Sequence, residues 1–304
     1  MILVVGSTGL LGGAVCRQLR GQGREVRALV RPSSDPKKVE DLRALSIEVV
    51  SGDVRDAASL RKACEGADVV ISTASAMVSR TTGDSIASVD LEGQLALIEA
   101  AEAARVSRFT YLSFPIQPFD YPLQAAKQAV EARLSGARLA HTIARPTFFT
   151  EVWLSPALWP FHGLHPGERR ARFVGDGKKR TRWISFLDVA GLVSTLAVEG
   201  GSSSKTIDLA GPEALSMNEV AKLLESMTGQ PLVLEATPEE AVRQQMEAVA
   251  DPIQKSLAAL MLACGSGDPP DFAATSNTLQ GSQRVADHLK RLIQPNQEEP
   301  NGRN

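Results

Sequence analysis

The first residues with a spacing suited to chemistry are three glycines, Gly6, Gly9 and Gly12, close to the start of the chain. Gly6 permits a tight turn out of the apolar run before it, and Gly9 lets the main chain approach a pyrophosphate without a Cβ in the way. Gly12 permits close packing of a helix on a strand, and the unpaired N–H groups at the start of that helix can bind a diphosphate. The alternative is a glycine turn with only a structural role. The spacing favours a dinucleotide-binding loop made of Gly6, Ser7, Thr8, Gly9, Leu10, Leu11 and Gly12.

A basic side chain after the second apolar run bears on which dinucleotide is bound. Arg31 stands 19 residues after Gly12, where an enzyme specific for NAD usually has Asp or Glu to hold the ribose 2′-hydroxyl. A guanidinium can instead bind a 2′-phosphate through two charge-assisted hydrogen bonds, and Lys37 and Lys38 follow closely. The pattern therefore favours NADP(H) over NAD(H), with a solvated basic turn as the alternative.

The scaffold for these residues is predicted by the alternation of short apolar runs and longer amphipathic segments in residues 1–145. The predicted strands are residues 2–5, 25–30, 47–51, 68–73, 108–113 and 139–144. The predicted helices are residues 10–22, 39–44, 60–65, 90–105 and 123–134. Because the strand candidates are continuous runs rich in Val, Ile and Leu, we expect an α/β fold with a parallel sheet buried on both faces.

The rest of the chain divides into an interruption and a mostly helical part. Residues 146–182 are rich in Pro, Gly and aromatic side chains. Two further strands and a helix are predicted at residues 183–186, 205–209 and 188–198. Ser216 and Glu219 have the spacing of a capping box at the start of a helix. We predict a dinucleotide-binding domain of residues 1–146 and 183–212, a smaller, mostly helical domain of residues 147–182 and 213–294, and a disordered tail of residues 295–304.

The composition argues against several classes of protein. The 304 residues include 33 Lys or Arg and 35 Asp or Glu, a net charge of -2 that differs from the basic surface of most nucleic-acid binders. The cysteines Cys16, Cys64 and Cys264 lie far apart, so we expect neither a disulfide framework nor a zinc site. His162 and His165 lack an evident third ligand, and no metal is expected there either. Since the chain opens with a short apolar run and no basic leader, we expect a cytoplasmic protein without membrane insertion.

Six short motifs occur in an order and spacing that resemble one known family. They are Gly6 to Gly12, Gly52-Asp53-Val54-Arg55-Asp56, Leu112-Ser113, Lys127 with Glu131, Ala144-Arg145-Pro146 and Asp188-Val189-Ala190. Over roughly residues 1–290 the chain resembles the atypical short-chain dehydrogenases/reductases of the NmrA-like family. The resemblance implies an extended Rossmann domain with a doubly wound parallel sheet, together with a substrate-covering domain. It also implies cofactor-binding roles for Asp53 and Val54 beside the adenine and for Thr73, Ala74, Ser75, Lys127 and Pro146 along the cofactor.

The proton donor of the wider superfamily is absent from its usual position. Ordinary members carry Tyr-x-x-x-Lys, in which the lysine shares a helix face with the tyrosine and lowers the pKa of its phenol. Here Leu123 occupies the tyrosine position before Lys127. Tyr121 lies six residues before Lys127, about 120° around an ideal helix. Pro122 is suited to the first helical turn, which leaves Tyr121 in the preceding loop.

The catalytic candidates are therefore Lys127, Ser113 and Tyr121. By the resemblance, Lys127 matches the position that binds the nicotinamide ribose. Ser113, at the end of the fifth strand, matches a hydroxyl on the substrate side, and both lie where open α/β sheets bind ligands. The alternatives are a solvent-facing helix lysine and a serine that only caps a turn. Glu131, one turn after Lys127, has the spacing to pair with it and orient it.

Two clusters in the interrupted segment remain open in function. Aromatic residues are concentrated at Phe148, Phe149, Trp153, Trp159 and Phe161. Phe148, Phe149 and Trp153 could form an apolar wall for a flat substrate, or could simply pack between domains. Residues 168–182 hold seven basic side chains and two acids, which could attract an anionic partner or form a solvated loop.

Taken together, these patterns favour an NADPH-dependent reductase that acts on a small conjugated carbonyl or quinone-like substrate. Hydride transfer to such an acceptor yields a stabilised oxyanion, so a strong proton donor is not required. The alternative is a non-catalytic NADP(H)-binding redox sensor that acts through a protein partner. A sugar-nucleotide epimerase is disfavoured because it would need the missing tyrosine.

Overall fold

The computed structural model describes residues 1–79, 81–155, 162–199, 201, 203–268 and 277–294. The chain forms two compact units. The first comprises Met1–Ile116, Asp120–Arg145 and Val189–Ile207, and the second Gln117–Phe119, Pro146–Asp188 and Asp208–Asn304. The predicted disordered tail, Trp159 and Phe161 lie outside the described residues.

Strands and helices alternate through the first half of the chain. The strands are β1 (Ile2–Val5), β2 (Val26–Val30), β3 (Glu48–Ser51), β4 (Val69–Ser72), β5 (Arg108–Leu112), β6 (Ala140–Pro146), β7 (Gly163–His165), β8 (Arg170–Val174), β9 (Arg180–Thr181), β10 (Lys205–Ala210), β11 (Leu215–Ser216), β12 (Val233–Thr237) and β13 (Thr278–Gln280). The α-helices are α1 (Leu10–Gly21), α2 (Pro36–Ala44), α3 (Ala57–Cys64), α4 (Gly93–Ala103), α5 (Pro122–Ser135), α6 (Thr150–Trp153), α7 (Phe186–Glu199), α8 (Met217–Thr228), α9 (Glu239–Ala248), α10 (Pro252–Ser266) and α11 (Val285–Ile293). A π-helix, Ile86–Glu92, runs directly into α4.

The principal sheet has the strand order β13-β10-β6-β5-β4-β1-β2-β3. In the first unit the pairs are parallel, with Ile2 of β1 opposite Val26 of β2 on one side and Val69 of β4 on the other. The run in β1 is buried on both faces, which explains why it is uniformly apolar. The strand order reverses between β1 and β4, and ligands of open α/β sheets bind beyond the carboxyl ends of the strands at such a point. The predicted α/β, doubly wound fold class is confirmed.

The second unit has its own small sheets and core. Strands β7, β8 and β12 form a three-stranded sheet, and β9 pairs with β11. Helices α8, α10 and α11 pack on apolar side chains that include Leu164, Phe173, Trp183 and Leu224. Ser216 and Glu219 form the predicted capping box at the start of α8. No local pattern predicts the β7-β8-β12 sheet, because β12 pairs with β8 far along the chain, with Val233 opposite Arg170.

The expected strand at residues 183–186 is wrong. Ile184 makes only an isolated bridge to Phe149, and helix α7 begins at Phe186. The physical reason is a cap, since the Glu151 carboxylate accepts hydrogen bonds from the Phe186 N–H and the Ser185 hydroxyl. These bonds satisfy the donors at a helix start and end any extended run.

The boundaries of the units differ from the predicted domains by a few residues. Residues 117–119, 146, 183–188 and 208–212 group with the second unit instead of the first. Trp183 is buried in the core of the second unit, and Asp208 pairs with Thr278 of β13. In the described part of the chain, no helix is long and apolar enough to cross a membrane.

Candidate cofactor and active site

The glycine loop joins β1 to α1 and leaves no room for side chains at two of its positions. Gly6 has a φ of 82°, and a Cβ added there would lie 2.7 Å from Thr73 Oγ1 and 2.8 Å from the Ala74 nitrogen. A Cβ on Gly12 would lie 2.1 Å from the Gly6 carbonyl oxygen. Both glycines are therefore required by close approach of the main chain.

The remaining loop residues hold this shape and present the start of α1. The Ser7 hydroxyl donates to the Leu29 carbonyl at 2.8 Å, which ties the loop to β2. The Gly9 N–H donates to the Gly6 carbonyl at 3.0 Å, and α1 begins at Leu10. Leu10 is exposed, whereas Thr8 and Leu11 are half-buried. Because the first N–H groups of a helix lack intrahelical partners, the loop can receive a diphosphate.

Two arginines and two aspartates form a chain of ion pairs beyond β2 and β3. Arg31 Nη1 lies 2.5 Å from Asp84 Oδ2, and Arg55 Nη1 lies 3.3 Å from Asp84 Oδ1. Arg55 also binds both carboxylate oxygens of Asp53, at 3.0 and 2.7 Å. These hydrogen bonds from Arg55 hold the pKa of Asp53 below its usual value. The predicted 2′-phosphate partner, Arg31, thus already pairs with a carboxylate.

The segment that follows β4 is held by hydrogen bonds at every residue from Thr73 to Ala76. Thr73 Oγ1 donates to the Val5 carbonyl at 3.0 Å, and the Ala74 carbonyl accepts from Gln94 Nε2 at 3.4 Å. The Asp90 carboxylate accepts from the Ser75 side chain and from the Ala76 N–H, the latter at 2.9 Å. This segment therefore has a fixed path beside Gly6.

Val54 is the other residue predicted to lie beside the adenine. It is buried, and a Cβ added at Gly93 would lie 3.1 Å from its side chain. The start of α4 therefore packs closely on Val54.

Lys127 is buried at the carboxyl end of β5. Its Nζ donates to the Leu112 carbonyl at 2.9 Å and to the Tyr111 hydroxyl at 3.5 Å, and lies 3.8 Å from Asp90 Oδ1. The ammonium also lies 4.9 Å from the centre of the Tyr111 ring, within range of a cation–π interaction. Burial lowers the pKa of Lys127, although the negative charges of Asp90 and Glu131 oppose that shift.

Asp90 and Tyr111 were not among the predicted site residues. Asp90 is fully buried on the π-helix, and burial raises the pKa of its carboxyl group, partly offset by Lys127. Tyr111 lies in β5, and burial raises the pKa of its phenol well above the ordinary value. A π-helical turn is frequent at functional sites, but it leaves no reliable mark in a sequence. Both residues reach Lys127 only because the π-helix, β5 and α5 meet at this point.

The other two catalytic candidates differ in their surroundings. Tyr121 is the N-cap of α5 with Pro122 in the first turn, as predicted, and its ring stacks on Phe114 with centroids 6.0 Å apart. Tyr121 is buried, which raises the pKa of its phenol. Ser113 directly follows Leu112, whose carbonyl binds Lys127, and its N–H donates to the Ala144 carbonyl at 2.8 Å. Ser113 thus directly follows the residue whose carbonyl binds Lys127, and Tyr121 packs its ring on Phe114.

Glu131 does not form the expected pair with Lys127. Its carboxylate binds Arg145 through both oxygens, with Arg145 Nε 3.1 Å from Oε1 and Nη2 on Oε2. A forked guanidinium matches a carboxylate better than an ammonium one helical turn away. Lys127 is instead oriented by Leu112, Tyr111 and Asp90.

The aromatic residues of the second unit belong largely to its core. Trp153 is 6% exposed and meets the Phe148 ring edge-on at 5.1 Å. Phe148 is also 6.4 Å from Trp183, whereas Phe149 is half-buried and lies outside this cluster. Pro146 ends β6 and is buried. Apolar packing accounts for Trp153 without a ligand, and a role of these side chains toward a substrate stays a prediction.

The basic segment of residues 168–182 is extensively paired. Arg172 binds Glu168 and Glu235, and Arg170 also pairs with Glu235. Arg180 binds the Glu219 carboxylate. These exposed pairs make the segment part of a solvated surface with local charge balance.

Several features of the first unit fit an NADP(H) molecule. The Gly6 and Gly12 positions form a cradle that a Cβ would fill, next to an available helix N-terminus. Arg31 stands at the end of β2 with 32% of its side chain exposed. Lys127 and Ser113 lie at the carboxyl edge of β5, where the nicotinamide half of a dinucleotide is expected.

Comparison with known proteins points to the same chemistry. The sequence profile of the NmrA-like family matches residues 1–282. The chain is 29% identical over 276 residues to an NAD(P)H azoreductase of Xenophilus azovorans, covering 90% of this chain and 89% of that protein. It is 26% identical over 239 residues to the photosystem II assembly factor Ycf39 of Trieres chinensis, covering 78% and 72%. An NADPH-dependent quinone oxidoreductase of Escherichia coli, solved with NADPH, shares the fold with a TM-score of 0.73 at 22% identity, over 96% of this chain and 100% of that one.

Proposed function

The chain belongs to the NmrA-like family, and from this premise we propose that it is an NADPH-dependent reductase of a small conjugated carbonyl or quinone-like substrate. The cofactor loop, Arg31 and the buried Lys127 support the use of NADPH. The similarity to an NAD(P)H azoreductase over most of both chains supports reduction of a conjugated acceptor.

The observation that carries the substrate class is the absence of a suitably placed phenol among the described residues around Lys127. Leu123 stands at the usual tyrosine position and is buried. Tyr111 contacts Lys127, but its phenol has a raised pKa, and Tyr121 stacks on Phe114. A simple ketone needs a proton as its alkoxide forms, whereas a quinone-like acceptor delocalises the negative charge. The site therefore suits acceptors that can receive a hydride before a proton.

Bound NADPH would supply the hydride, and the residues of this chain would bind and orient the cofactor and the substrate. The glycine loop would hold the diphosphate, and Arg31 the 2′-phosphate. The Lys127 ammonium, fixed by Leu112 and Tyr111, would bind the nicotinamide ribose and place a positive charge near the developing anion. Ser113 would offer its hydroxyl to the substrate oxygen.

Turnover with a graded panel of acceptors tests this proposal. Purified protein is incubated with NADPH and a benzoquinone, an azo dye, a conjugated enone or an unactivated ketone, while cofactor absorbance is followed over many turnovers. We expect consumption of NADPH with the conjugated acceptors and none with the ketone. Equal rates with the ketone would contradict the substrate class and would indicate a proton donor that we have not identified.

A second candidate function is a non-catalytic NADP(H) sensor that acts through a protein partner. The similarity to a photosystem II assembly factor favours it, because that name describes assembly of a protein complex. Tight NADP+ binding without turnover on any acceptor of the panel would favour the sensor over the reductase.

Cofactor preference is tested separately by calorimetry. The native protein should bind NADP+ more tightly than NAD+, and Arg31→Asp should reverse that order through repulsion of the 2′-phosphate. Tighter binding of NAD+ by the native protein would contradict the NADP(H) assignment. An unchanged affinity ratio in Arg31→Asp would show that another residue binds the 2′-phosphate.

A further inference from the structure

Asp84 binds Arg31, the arginine proposed to hold the 2′-phosphate. Its side chain is only 3% exposed, and Oδ2 accepts from Arg31 Nη1 at 2.5 Å and from the Ser79 hydroxyl. Oδ1 faces Arg55 Nη1 at 3.3 Å. A carboxylate from the segment after β4 thus lies against the guanidinium at the end of β2.

The charges of this cluster cancel before any ligand arrives. Arg31 and Arg55 carry two positive charges, and Asp53 and Asp84 carry two negative charges. A phosphomonoester adds about −1.5 to −2 at neutral pH, so a 2′-phosphate beside Arg31 would meet a neutral cluster with a carboxylate close by. Repulsion between Asp84 and that phosphate opposes the attraction of Arg31.

The two aspartates are not equally able to give up their partners. Asp53 is held by a forked pair with Arg55 and also accepts the Arg55 backbone N–H at 2.9 Å. Asp84 makes one contact to each arginine, and its contact to Arg55 is the longer one. Release of Arg31 by Asp84 therefore breaks one charge-assisted hydrogen bond between the two side chains, whereas separation of Asp53 from Arg55 breaks two.

We propose that Asp84 is a specificity-determining residue that masks Arg31, so that NADP(H) must displace its carboxylate while NAD(H) need not. The inference rests on the proposed use of NADP(H) and adds a residue that limits the preference for it. The masked guanidinium makes discrimination between the two dinucleotides smaller than Arg31 alone would give.

The test measures binding of two ligands that differ only in the presence of the 2′-phosphate. Calorimetry gives the affinities of adenosine 2′,5′-bisphosphate and adenosine 5′-monophosphate for the native protein and for Asp84→Asn. We expect the affinity ratio in favour of the bisphosphate to rise about tenfold in Asp84→Asn, because a freed charge-assisted hydrogen bond to Arg31 is worth roughly that factor. The affinity for the monophosphate should stay nearly unchanged.

Further variants make the result specific. Glu48→Gln is the control, because it removes a carboxylate charge from the ion pair between Glu48 and Arg27, whose atoms lie 3.0 Å apart. Arg27 stands four residues before Arg31, about 13 Å away along an extended chain. The ratio of the two affinities should not change in this variant. In an Arg31→Ala background, Asp84→Asn should no longer raise the ratio, since the double-mutant cycle isolates their coupling. Asp84→Ser repeats the measurement if the asparagine variant does not fold.

An unchanged ratio in Asp84→Asn and Asp84→Ser would overturn the proposal, and a lower ratio would show that Asp84 orients Arg31 instead of masking it. These outcomes are separable from failure of the reductase proposal, because no turnover is measured. A native protein that binds NADP+ but reduces no acceptor refutes only the reductase. Absence of binding by both nucleotides in every variant would refute both.

Discussion

The Lys127 ammonium and the Asp90 carboxylate face each other across 3.8 Å, and both side chains are buried. Burial removes most of the solvent stabilisation of both charges, so each depends on the other. Asp90 also accepts the Ala76 N–H, whereas Lys127 donates to the Leu112 carbonyl. The pair therefore links the segment after β4 to the end of β5.

Lys127→Met should lower turnover about 10²-fold while Tyr121→Phe changes it little. Methionine keeps the volume but removes the ammonium that orients the ribose, and losses of an orienting group are commonly of this size. Tyr121 contacts Phe114 through its ring, which phenylalanine retains. Rates with a quinone at saturating NADPH, with NADP+ affinity measured alongside, provide the check. The reverse order of effects would mean that Tyr121 donates a proton and that the enzyme is a conventional reductase.

The second unit should lose stability in mild acid. Burial lowers the pKa of His162 and of His288 to about 4, whereas the unfolded chain binds these protons near pH 6.5. Between about pH 4 and pH 6.5 the two histidines are protonated in the unfolded chain but neutral in the native protein. The free energy of unfolding therefore falls as the pH drops below about 6.5, and the loss is complete near pH 4. Each histidine should cost about 2 kcal/mol at pH 5 relative to pH 7.

His288→Leu provides the measurement. The buried Nε2 of His288 has no hydrogen-bond partner among the described residues, so leucine at this position strands no partner of that atom. Urea denaturation at pH 7 and pH 5 should show a smaller acid loss in the variant than in the native protein. The same loss in both proteins would mean that His288 is protonated in the folded state.

The features that short stretches of sequence determine could be predicted, whereas those that depend on contacts between distant residues could not. The glycine loop and the six strands of the first unit follow from backbone chemistry and periodicity, which short stretches of sequence carry. By contrast, the sequence around Arg31 predicts a guanidinium that binds a phosphate, whereas the structure pairs it with Asp84, 53 residues further along the chain. Asp90 looks like an ordinary helical aspartate until the π-helix turns it toward Lys127. Contacts between distant segments therefore determine the electrostatics of this site.

Two adjacent glycines in α1 should respond in opposite ways to alanine. A Cβ on Gly12 would lie 2.1 Å from the Gly6 carbonyl oxygen, so the loop must shift. We expect Gly12→Ala to lower NADP+ affinity at least tenfold and stability by about 1–3 kcal/mol. The nearest atom to a Cβ on Gly13 is 3.4 Å away, and Gly13→Ala should raise stability by up to about 1 kcal/mol through helix propensity. Calorimetry and urea denaturation of both variants provide the test. Equal effects of Gly12→Ala and Gly13→Ala on NADP+ affinity and stability would contradict the close packing inferred at Gly12.

Trp153 should prove to be a core residue whose removal weakens the second unit. Its indole is buried against Phe148 and the cluster around Trp183, so Trp153→Ala should cost about 3 kcal/mol or more of unfolding free energy. Phe149 is half-buried and lies outside that cluster, and Phe149→Ala should cost less. Phe149→Ala is consequently the variant in which a substrate contact can be detected as a raised KM with the smaller loss of stability. If Trp153→Ala were as stable as the native protein and raised KM instead, the indole would line the substrate site and the core assignment would be wrong.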